Sequence, residues 1–304
     1  MGAGLSAWIR PVRERADLEL ARASRAGAIA RRHERLMMSA PDSARPLHER
    51  MARLHRKNEE RHLTAARLHD AHIRRLRRWF DLEAAAASRR PLLISTVAEM
   101  LGARSAGITL LSSRSAAAAS MTASDPLAAA AQELEFTLGE GPVHDSAASG
   151  RLVVVAEDSL ADRWRLYSPA VAALGVRSVA AAPLGLPDNC LGALAVFDPP
   201  PDRPAGPTVE EIADALTHTI LLTDEYVAQL IEEGSVGDKP AGSLVDGPGD
   251  TAVIHQAAGM VAAQCGCSVG DALALVTARA FADNELVTST ARRIVQRRLR
   301  LDTP

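Results

Sequence analysis

The sequence predicts an α+β protein with an N-terminal helical hairpin or coiled coil, a central sheet flanked by helices, and a C-terminal bundle of three helices. Residues 1–90 are rich in Ala, Arg, Glu and Leu, a composition typical of helices. Residues 91–233 alternate between strand-like apolar runs and helix-like apolar stripes. Residues 251–304 contain three short segments with helical apolar spacing. The Gly-rich residues 234–250 are expected to be a flexible linker.

The N-terminal region is expected to form two helices that pack on each other or on a second chain. The first is predicted over about residues 11–38, and Pro41 and Pro46 mark its end and the start of the second. A seven-residue repeat follows, with an apolar seam interrupted by polar residues. The seam positions are Leu47, Met51, Leu54, Asn58, Ala65, Leu68, Leu76 and Trp79 or Phe80. Spacing by threes and fours is typical of a coiled coil, so we expect a homodimer.

Four histidines lie seven residues apart beside this seam: His48, His55, His62 and His69. Neighbours in this series are about 10 Å apart along a helix, whereas metal ligands lie about 2 Å from the ion. One helix therefore cannot bring two of them to one metal, and only His69 and His72 are close enough to share one. We expect no metal site here and interpret the histidines as flanking residues of a basic helix.

The central region is predicted to be a largely antiparallel sheet between helices. Strands are expected over residues 106–112, 115–122, 152–156, 176–182 and 191–197, with helices over 91–101 and 208–233. Several short motifs occur in order along this region. They are Leu-Gly-Glu-Gly-Pro at 138–142, Asp145, Ser-Gly at 149–150, Asp-Arg-Trp at 162–164, Gly-Val-Arg-Ser at 175–178, Pro-Leu at 183–184 and Leu-Gly-Ala at 191–193.

In this order the motifs resemble a GAF domain, more narrowly the GAF domain that precedes an ANTAR domain in actinobacterial regulators. The resemblance implies a small-molecule ligand bound over the sheet. It does not identify the ligand or any cofactor, and the Asn-Lys-x-Asp-Glu set of cyclic-nucleotide-binding members is absent. Close relatives often carry Cys after Gly-Glu-Gly-Pro. Val143 stands there instead, which excludes a thiol sensor at that position.

Four further residues of this region are of types that can contact a ligand. His144 is the candidate, as a haem ligand or a hydrogen-bonding group, although a histidine at a helix start is often exposed. Cys190, at a predicted strand start, is expected to serve packing. Arg163 and Trp164 are expected to be structural anchors.

The C-terminal segment is predicted to have helices over residues 253–264, from Ser268 onward, and over 286–299. Ser268 and Asp271 have the spacing of a capping box, and Val269 is assigned to the inward face of the second helix. The third helix is expected to expose Arg293, Arg297 and Arg300 at positions i, i+4 and i+7. Arg292, Gln296 and Arg279 are expected beside them. Guanidinium groups suit phosphates and stack on unpaired bases, and the alternative is a solvated face of a small bundle.

The three-helix order, with Gln-Ala-Ala-Gly at 256–259 and Val-Thr at 276–277, resembles the ANTAR domain, an RNA-hairpin-binding module of bacterial antiterminators. The family usually has Gln-Ala-Lys-Gly and Leu-Arg, so two common basic positions are Ala258 and Thr277 here. The resemblance implies a regulator that senses a ligand through one domain and binds an RNA hairpin through the other. The alternative is a dimerisation or interaction regulator whose ANTAR-like domain binds no RNA.

Composition adds limits to these expectations. The net charge is −2 overall, but the two ends of the chain are basic and the middle is acidic. Apolar runs are too short for a membrane span, and three cysteines make no disulfide framework, so a cytoplasmic protein is expected. The sequence has no phosphate-binding Gly-rich loop, nucleophile elbow or paired metal-ligand motif. An enzyme, such as a GAF-linked kinase or cyclic-nucleotide hydrolase, is therefore the weakest alternative.

Overall fold

The structure is a computed structural model that describes residues 2–81, 91–111, 118–186, 189–200, 207–221, 250–283 and 285–301. Two long antiparallel helices, α1 (Gly2–Ser39) and α2 (Arg45–Asp81), form the hairpin. The turn between them is closed by the Pro41 carbonyl, which accepts hydrogen bonds from the Ala44 and Arg45 amides. The expected start of α1 at Pro11 was wrong. Ile9 and Val12 on either side of the proline pack against α2, and this contact keeps the helix continuous through Pro11.

The expected seam holds over the second half of α2, where Ala65, Leu68 and Leu76 are buried, but not over the first half. His62 and His69 of the histidine series are buried, while Leu47 and Leu54 of the predicted seam are 55% and 50% exposed. The physical reason is the surface that α1 offers, because it presents small alanines and the buried carboxylate of Glu19. Burial, followed by the charge of Arg15, lowers the pKa of His69 to about 4, so its imidazole is neutral at pH 7.

Five strands form one antiparallel sheet in the order β2-β1-β5-β4-β3. The strands are β1 (Ser105–Leu111), β2 (Ala118–Ala123), β3 (Val153–Val155), β4 (Val179–Leu186) and β5 (Asn189–Phe197). The sheet and its antiparallel pairing confirm the expected architecture. Strand β4 begins three residues later than expected, because the Asp198 carboxylate accepts the amide hydrogens of Arg177 and Ser178 and so holds that segment outside the ladder.

Helices cover both faces of the sheet. One face packs α3 (Leu93–Leu101) and α8 (Val209–Leu221), and Leu68 from the hairpin enters the same apolar core. The other face carries α4 (Pro126–Leu138), α5 (Pro142–Ser149), α6 (Glu157–Arg163) and α7 (Tyr167–Ala173). We refer to residues 91–221 as the sheet domain. The part of the last predicted helix beyond Leu221, and the predicted linker up to residue 249, lie outside the described residues.

Three helices make up the C-terminal bundle: α9 (Asp250–Cys265), α10 (Val269–Ala282) and α11 (Val287–Val295). Their core contains Ile254, Ala257, Ala258 and Val261, which follow the helical apolar spacing expected for the first of the three helices. The capping box is confirmed, since Ser268 Oγ accepts the Asp271 amide hydrogen and donates to the Asp271 carboxylate. The inward assignment of Val269 was wrong: it is 55% exposed, because the first residue after the cap points away from the bundle.

Among the described residues, no single helix has the length and apolarity needed to cross a membrane. Of these residues, the helix pair Val253–Cys265 and Val269–Ala280 has the necessary length and composition when taken together, but the pair is bent by 108°.

Candidate functional site

The Gly-Glu-Gly-Pro loop joins three helices on one face of the sheet. Helix α4 ends at Gly139, and Pro142 occupies the first turn of α5. The Glu140 carboxylate accepts the Leu166 and Tyr167 amide hydrogens and so satisfies the start of α7. Gly141 has φ +153°, and a Cβ there would lie 2.6 Å from the Glu135 carboxyl carbon. This position therefore requires glycine, because the buried side chain of Glu135 folds over the loop.

Glu135 and His144 form a partly buried acid–base pair beside this loop. The Glu135 carboxylate accepts the His144 amide hydrogen at 2.9 Å, and the His144 Nδ1 lies 3.2 Å from the same oxygen. Burial raises the pKa of Glu135, although the hydrogen bonds from His144 oppose the rise. The hydrogen bond to Glu135 in turn raises the pKa of His144. Because the His144 side chain is 40% exposed, it reaches both solvent and the interior.

Asp145 connects α5 to Arg163 and Trp164 of the Asp-Arg-Trp motif. Its Oδ2 atom accepts hydrogen bonds from the Arg163 guanidinium at 2.8 Å and from the Trp164 indole at 3.3 Å. Trp164 is buried and packs edge-on against Tyr167. These contacts are the anchoring role expected of Arg163 and Trp164. Cys190 donates to the carbonyl of Gly192.

The sheet face beneath α4 and α7 is made of small residues with polar groups above it. Gly107, Ala193 and Ala195 lie on this face of β1 and β5, and the Gln132 side chain of α4 fills the space over Gly107. Gln132 Nε2 donates to Thr109 Oγ1 at 3.0 Å. A fully buried Tyr167 completes this group of polar side chains.

Two atoms above this face have no hydrogen-bond partner among the described residues: Gln132 Oε1 and the Tyr167 hydroxyl. An unsatisfied buried polar atom costs about 1–3 kcal/mol. Burial, with a contribution from Glu135, raises the pKa of Tyr167 well above its usual range, so the hydroxyl remains a donor. One unused acceptor and one unused donor above small side chains suit a small polar ligand.

Gln132, Glu135 and Tyr167 were not predicted from the sequence. A signal was present, since Gln132 and Glu135 lie three residues apart in an otherwise Ala- and Leu-rich helix. Their polarity on its own, however, predicts solvent exposure. The structure places His144 beside this group through Glu135, and Trp164 beside it through the ring of Tyr167.

The expected basic residues of the C-terminal bundle do not form one helical face. Helix α11 ends at Val295 rather than Leu299, so Arg297 and Arg300 lie beyond it. Arg297 has φ +59°, and the Arg298 amide donates to the Arg293 carbonyl at 2.7 Å. This pattern is a left-handed helix end, which closes the helix before the predicted i, i+4, i+7 spacing is completed.

Acidic neighbours pair with part of the basic set. Arg279 Nε donates to Asp283 at 2.8 Å, and Arg293 donates to Glu285 at 2.8 Å. The exposed members of the set are Arg279, Arg292, Gln296, Arg297 and Arg300. Arg292, Arg297 and Arg300 thus lie exposed on one short segment, while Arg279 and Arg293 are paired with carboxylates.

Helix α4 also contacts the C-terminal bundle. The buried carboxylate of Glu133 accepts hydrogen bonds from the amide and the hydroxyl of Thr288, with the hydroxyl 2.7 Å from Oε2. Thr288 is in the first turn of α11, a helix with no side-chain cap of its own. Glu133 thus satisfies an unpaired helix-start amide and places negative charge at the positive end of α11.

The antiparallel sheet with helices on both faces and the Gly-Glu-Gly-Pro loop over it define a domain of the sensor type. A comparison with protein families identifies residues 85–222 as a GAF domain, which begins and ends slightly before the expected residues 91–233. No ANTAR match supports the resemblance of the C-terminal bundle, which stays a prediction. No curated protein and no solved structure matched the chain.

Proposed function

We propose that this chain is a signal-responsive regulator of transcription antitermination that acts in the cytoplasm as a homodimer and has no enzymatic activity. The observation that carries the proposal is the GAF domain, whose face beneath α4 and α7 holds the unused hydrogen-bonding groups of Gln132 and Tyr167. A small polar ligand that accepts from the Tyr167 hydroxyl and donates to Gln132 Oε1 fits this chemistry.

The proposed output is binding of an RNA hairpin by the C-terminal bundle. Support comes from the exposed side chains of Arg292, Arg297 and Arg300, which are suited to phosphates and to unpaired loop bases. The Glu133–Thr288 contact offers a route between the two functions. Helix α4 carries both Glu133 and the ligand-facing Gln132, so a ligand that moves this helix changes the support of α11.

A titration of hairpin RNA at several salt concentrations tests the output. Arg297→Gln with Arg300→Gln should lower the salt slope of binding by about 1.5, at ~0.7–0.9 per phosphate contact. Arg293→Gln should have a smaller effect, because Arg293 is already paired with Glu285. A variant with Arg10→Gln and Arg50→Gln, exposed arginines of the hairpin, is the charge-matched control. RNA crosslinking in cells would identify the target used in the titration.

The second candidate function is an interaction regulator whose C-terminal bundle binds a protein. It is favoured by the pairing of Arg279 and Arg293 with Asp283 and Glu285, which uses cations that RNA would need. Failure of the parent protein to bind any hairpin from its own cellular transcripts would establish this alternative. Equal affinity and equal salt slope of the parent and the Arg297, Arg300 variant would remove this segment as the RNA contact.

A further inference from the structure

Three helices that are distant in the sequence meet where the hairpin packs on the GAF domain. Glu19 of α1, His62 of α2 and His218 of α8 bring one ligand atom each to this junction, all within 4.8 Å of one another. Glu19 and His62 are buried, and His218 is half-buried. The 10 Å spacing of the heptad separates histidines of one helix, and it sets no limit on ligands that come from three helices.

The hydrogen bonds of this cluster satisfy two of its three members. His62 Nδ1 lies 2.6 Å from Glu19 Oε2, and Arg22 donates to the other Glu19 oxygen at 2.8 Å. The ring of His218 stands edge-on to that of His62, with centroids 4.4 Å apart. The His218 Nε2 atom is buried and has no hydrogen-bond partner among the described residues. An unused ring nitrogen in a buried place calls for a partner.

We propose that Glu19, His62 and His218 form a binding site for one divalent transition-metal ion, with Zn²⁺ the best fit. Two imidazoles and one carboxylate make a known three-ligand zinc set that leaves the fourth position for water. The nitrogen and oxygen donors also exclude a preference for soft, thiolate-seeking ions.

Entry of zinc requires side-chain shifts of up to about 1.5 Å, because the ligand atoms of the cluster lie within 4.8 Å of one another. Zinc bonds of about 2.0–2.2 Å place tetrahedral ligand atoms about 3.3–3.5 Å apart, so Glu19 and His62 must separate by less than 1 Å from their hydrogen-bonded distance. The helices are already held in register, since Arg61 donates to both Asp214 oxygens at 2.7 and 2.8 Å. Asp214 neutralises the Arg61 charge beside the site, and Arg22 orients Glu19 from outside it.

The ion would link the hairpin to the last described helix of the GAF domain. Since α8 leads toward residues 222–249 and the C-terminal bundle, zinc occupancy would determine how firmly the hairpin holds that end of the domain. This site is separate from the ligand face under α4 and does not depend on the proposed antitermination function.

Zinc titration of the full chain tests the proposal. Cys190→Ser, Cys265→Ser and Cys267→Ser are introduced first, so that thiolates cannot contribute. Calorimetry should detect one Zn²⁺ per chain that depends on the cluster, and Zn²⁺ should raise the midpoint of thermal unfolding. His218→Ala and Glu19→Gln should each weaken this binding on the order of 100-fold. His255→Ala, which changes a histidine on exposed α9, should bind zinc like the parent.

These measurements distinguish a metal site from a hydrogen bond between Glu19 and His62 alone. Without metal, each variant is compared with the parent by circular dichroism. If His218→Ala does not fold, Glu19→Gln carries the test, because it keeps the shape of the side chain. Tetrahedral absorption of bound Co²⁺ that is lost in Glu19→Gln would support the site. Absence of zinc binding in the parent, or equal binding by parent and both variants, would overturn it.

Discussion

The GAF domain and the hairpin bury different kinds of side chain. The two faces of the sheet enclose large apolar residues such as Ile94, Leu194 and Phe197, all fully buried. The hairpin interface has a smaller apolar cluster around Ile9 and Leu76, and it also encloses Glu19, His62 and a series of alanines. Apolar burial is stabilising at any pH, whereas buried acids and imidazoles need partners. We therefore expect the packing of the hairpin to depend more on pH and on bound ions than the packing of the sheet does.

The largest effect should come from the sheet core. Phe197→Ala removes a fully buried ring from β5 and should lower the free energy of unfolding by about 3–5 kcal/mol. Urea denaturation measures this loss. Val154→Ala is the control, because Val154 of β3 is largely exposed and should change stability by less than about 0.5 kcal/mol. A loss below about 1 kcal/mol for Phe197→Ala would contradict the conclusion that apolar burial stabilises the sheet.

The next effect separates the inner and outer leucines of α2. Leu68→Ala should cost about 2–5 kcal/mol, because Leu68 lies in the core shared with α3 and α8. Leu54→Ala should be nearly neutral in the monomer, since half of that side chain is exposed. Equal losses of unfolding free energy for Leu68→Ala and Leu54→Ala in urea denaturation would mean that Leu54 is buried as well, as the predicted seam requires.

The exposure of the α2 leucines also indicates which surface the expected dimer would use. Leu68 is buried inside the chain, whereas Leu47 and Leu54 are the most exposed leucines of the predicted seam and are available to a second copy. Leu47→Asp with Leu54→Asp should convert a dimer to a monomer in light scattering, with an unchanged unfolding midpoint at low concentration. A dimer that survives this change must associate through another surface.

The sheet was predictable because strand patterns are local. The apolar runs along β1 and β5 and the turn residues between strands gave all five strands within about three residues at each start. Close backbone contacts also left a signal: the glycine of Leu-Gly-Ala at 191–193 is required because a Cβ on Gly192 would lie 2.0 Å from the Thr109 carbonyl.

The hairpin was harder because two series on α2 repeat every seven residues. The leucines and the histidines fit a heptad equally well, and hydrophobicity favoured the leucines. The deciding partners are Glu19 and His218, which lie on other helices and have no sequence relation to α2. The break after Val295 was missed for a similar reason, since a left-handed arginine has no sequence signal comparable to glycine.

A smaller effect is expected at the contact between the GAF domain and the C-terminal bundle. Thr288→Val removes the hydroxyl that donates to Glu133 and leaves part of a buried carboxylate unsatisfied, a cost of about 1–3 kcal/mol. The loss should appear as faster hydrogen exchange of the α11 amides, with the sheet amides unchanged. Glu210→Gln, an exposed acid of α8, is the control. Unchanged exchange in α11 would mean that this contact does not hold the bundle in solution.

The smallest effect is the pH dependence of Glu135 and His144, the one acid–base pair under the sheet domain's loop. The hydrogen bond to Glu135 raises the pKa of His144, so protonated His144 stabilises the fold fully below about pH 6.5 and less as the pH rises through the raised pKa. Burial raises the pKa of Glu135, which makes stability fall with rising pH as well, from a lower pH onward. Both contributions have the same sign.

His144→Gln keeps a donor for Glu135 but cannot titrate. Between about pH 6.5 and 8 the free energy of unfolding of this variant should therefore decline less than that of the parent, by under about 1 kcal/mol because the imidazole is part-exposed. Urea denaturation at a series of pH values measures the difference. His255→Gln on α9 should change the profile in the opposite sense and slightly steepen the decline, because burial lowers the pKa of His255 and the variant loses the rise of stability with pH that this causes. Identical profiles for the parent and His144→Gln would mean that the pair is screened by solvent. The sheet domain would then be insensitive to pH at this loop, and the contrast with the hairpin would be sharper still.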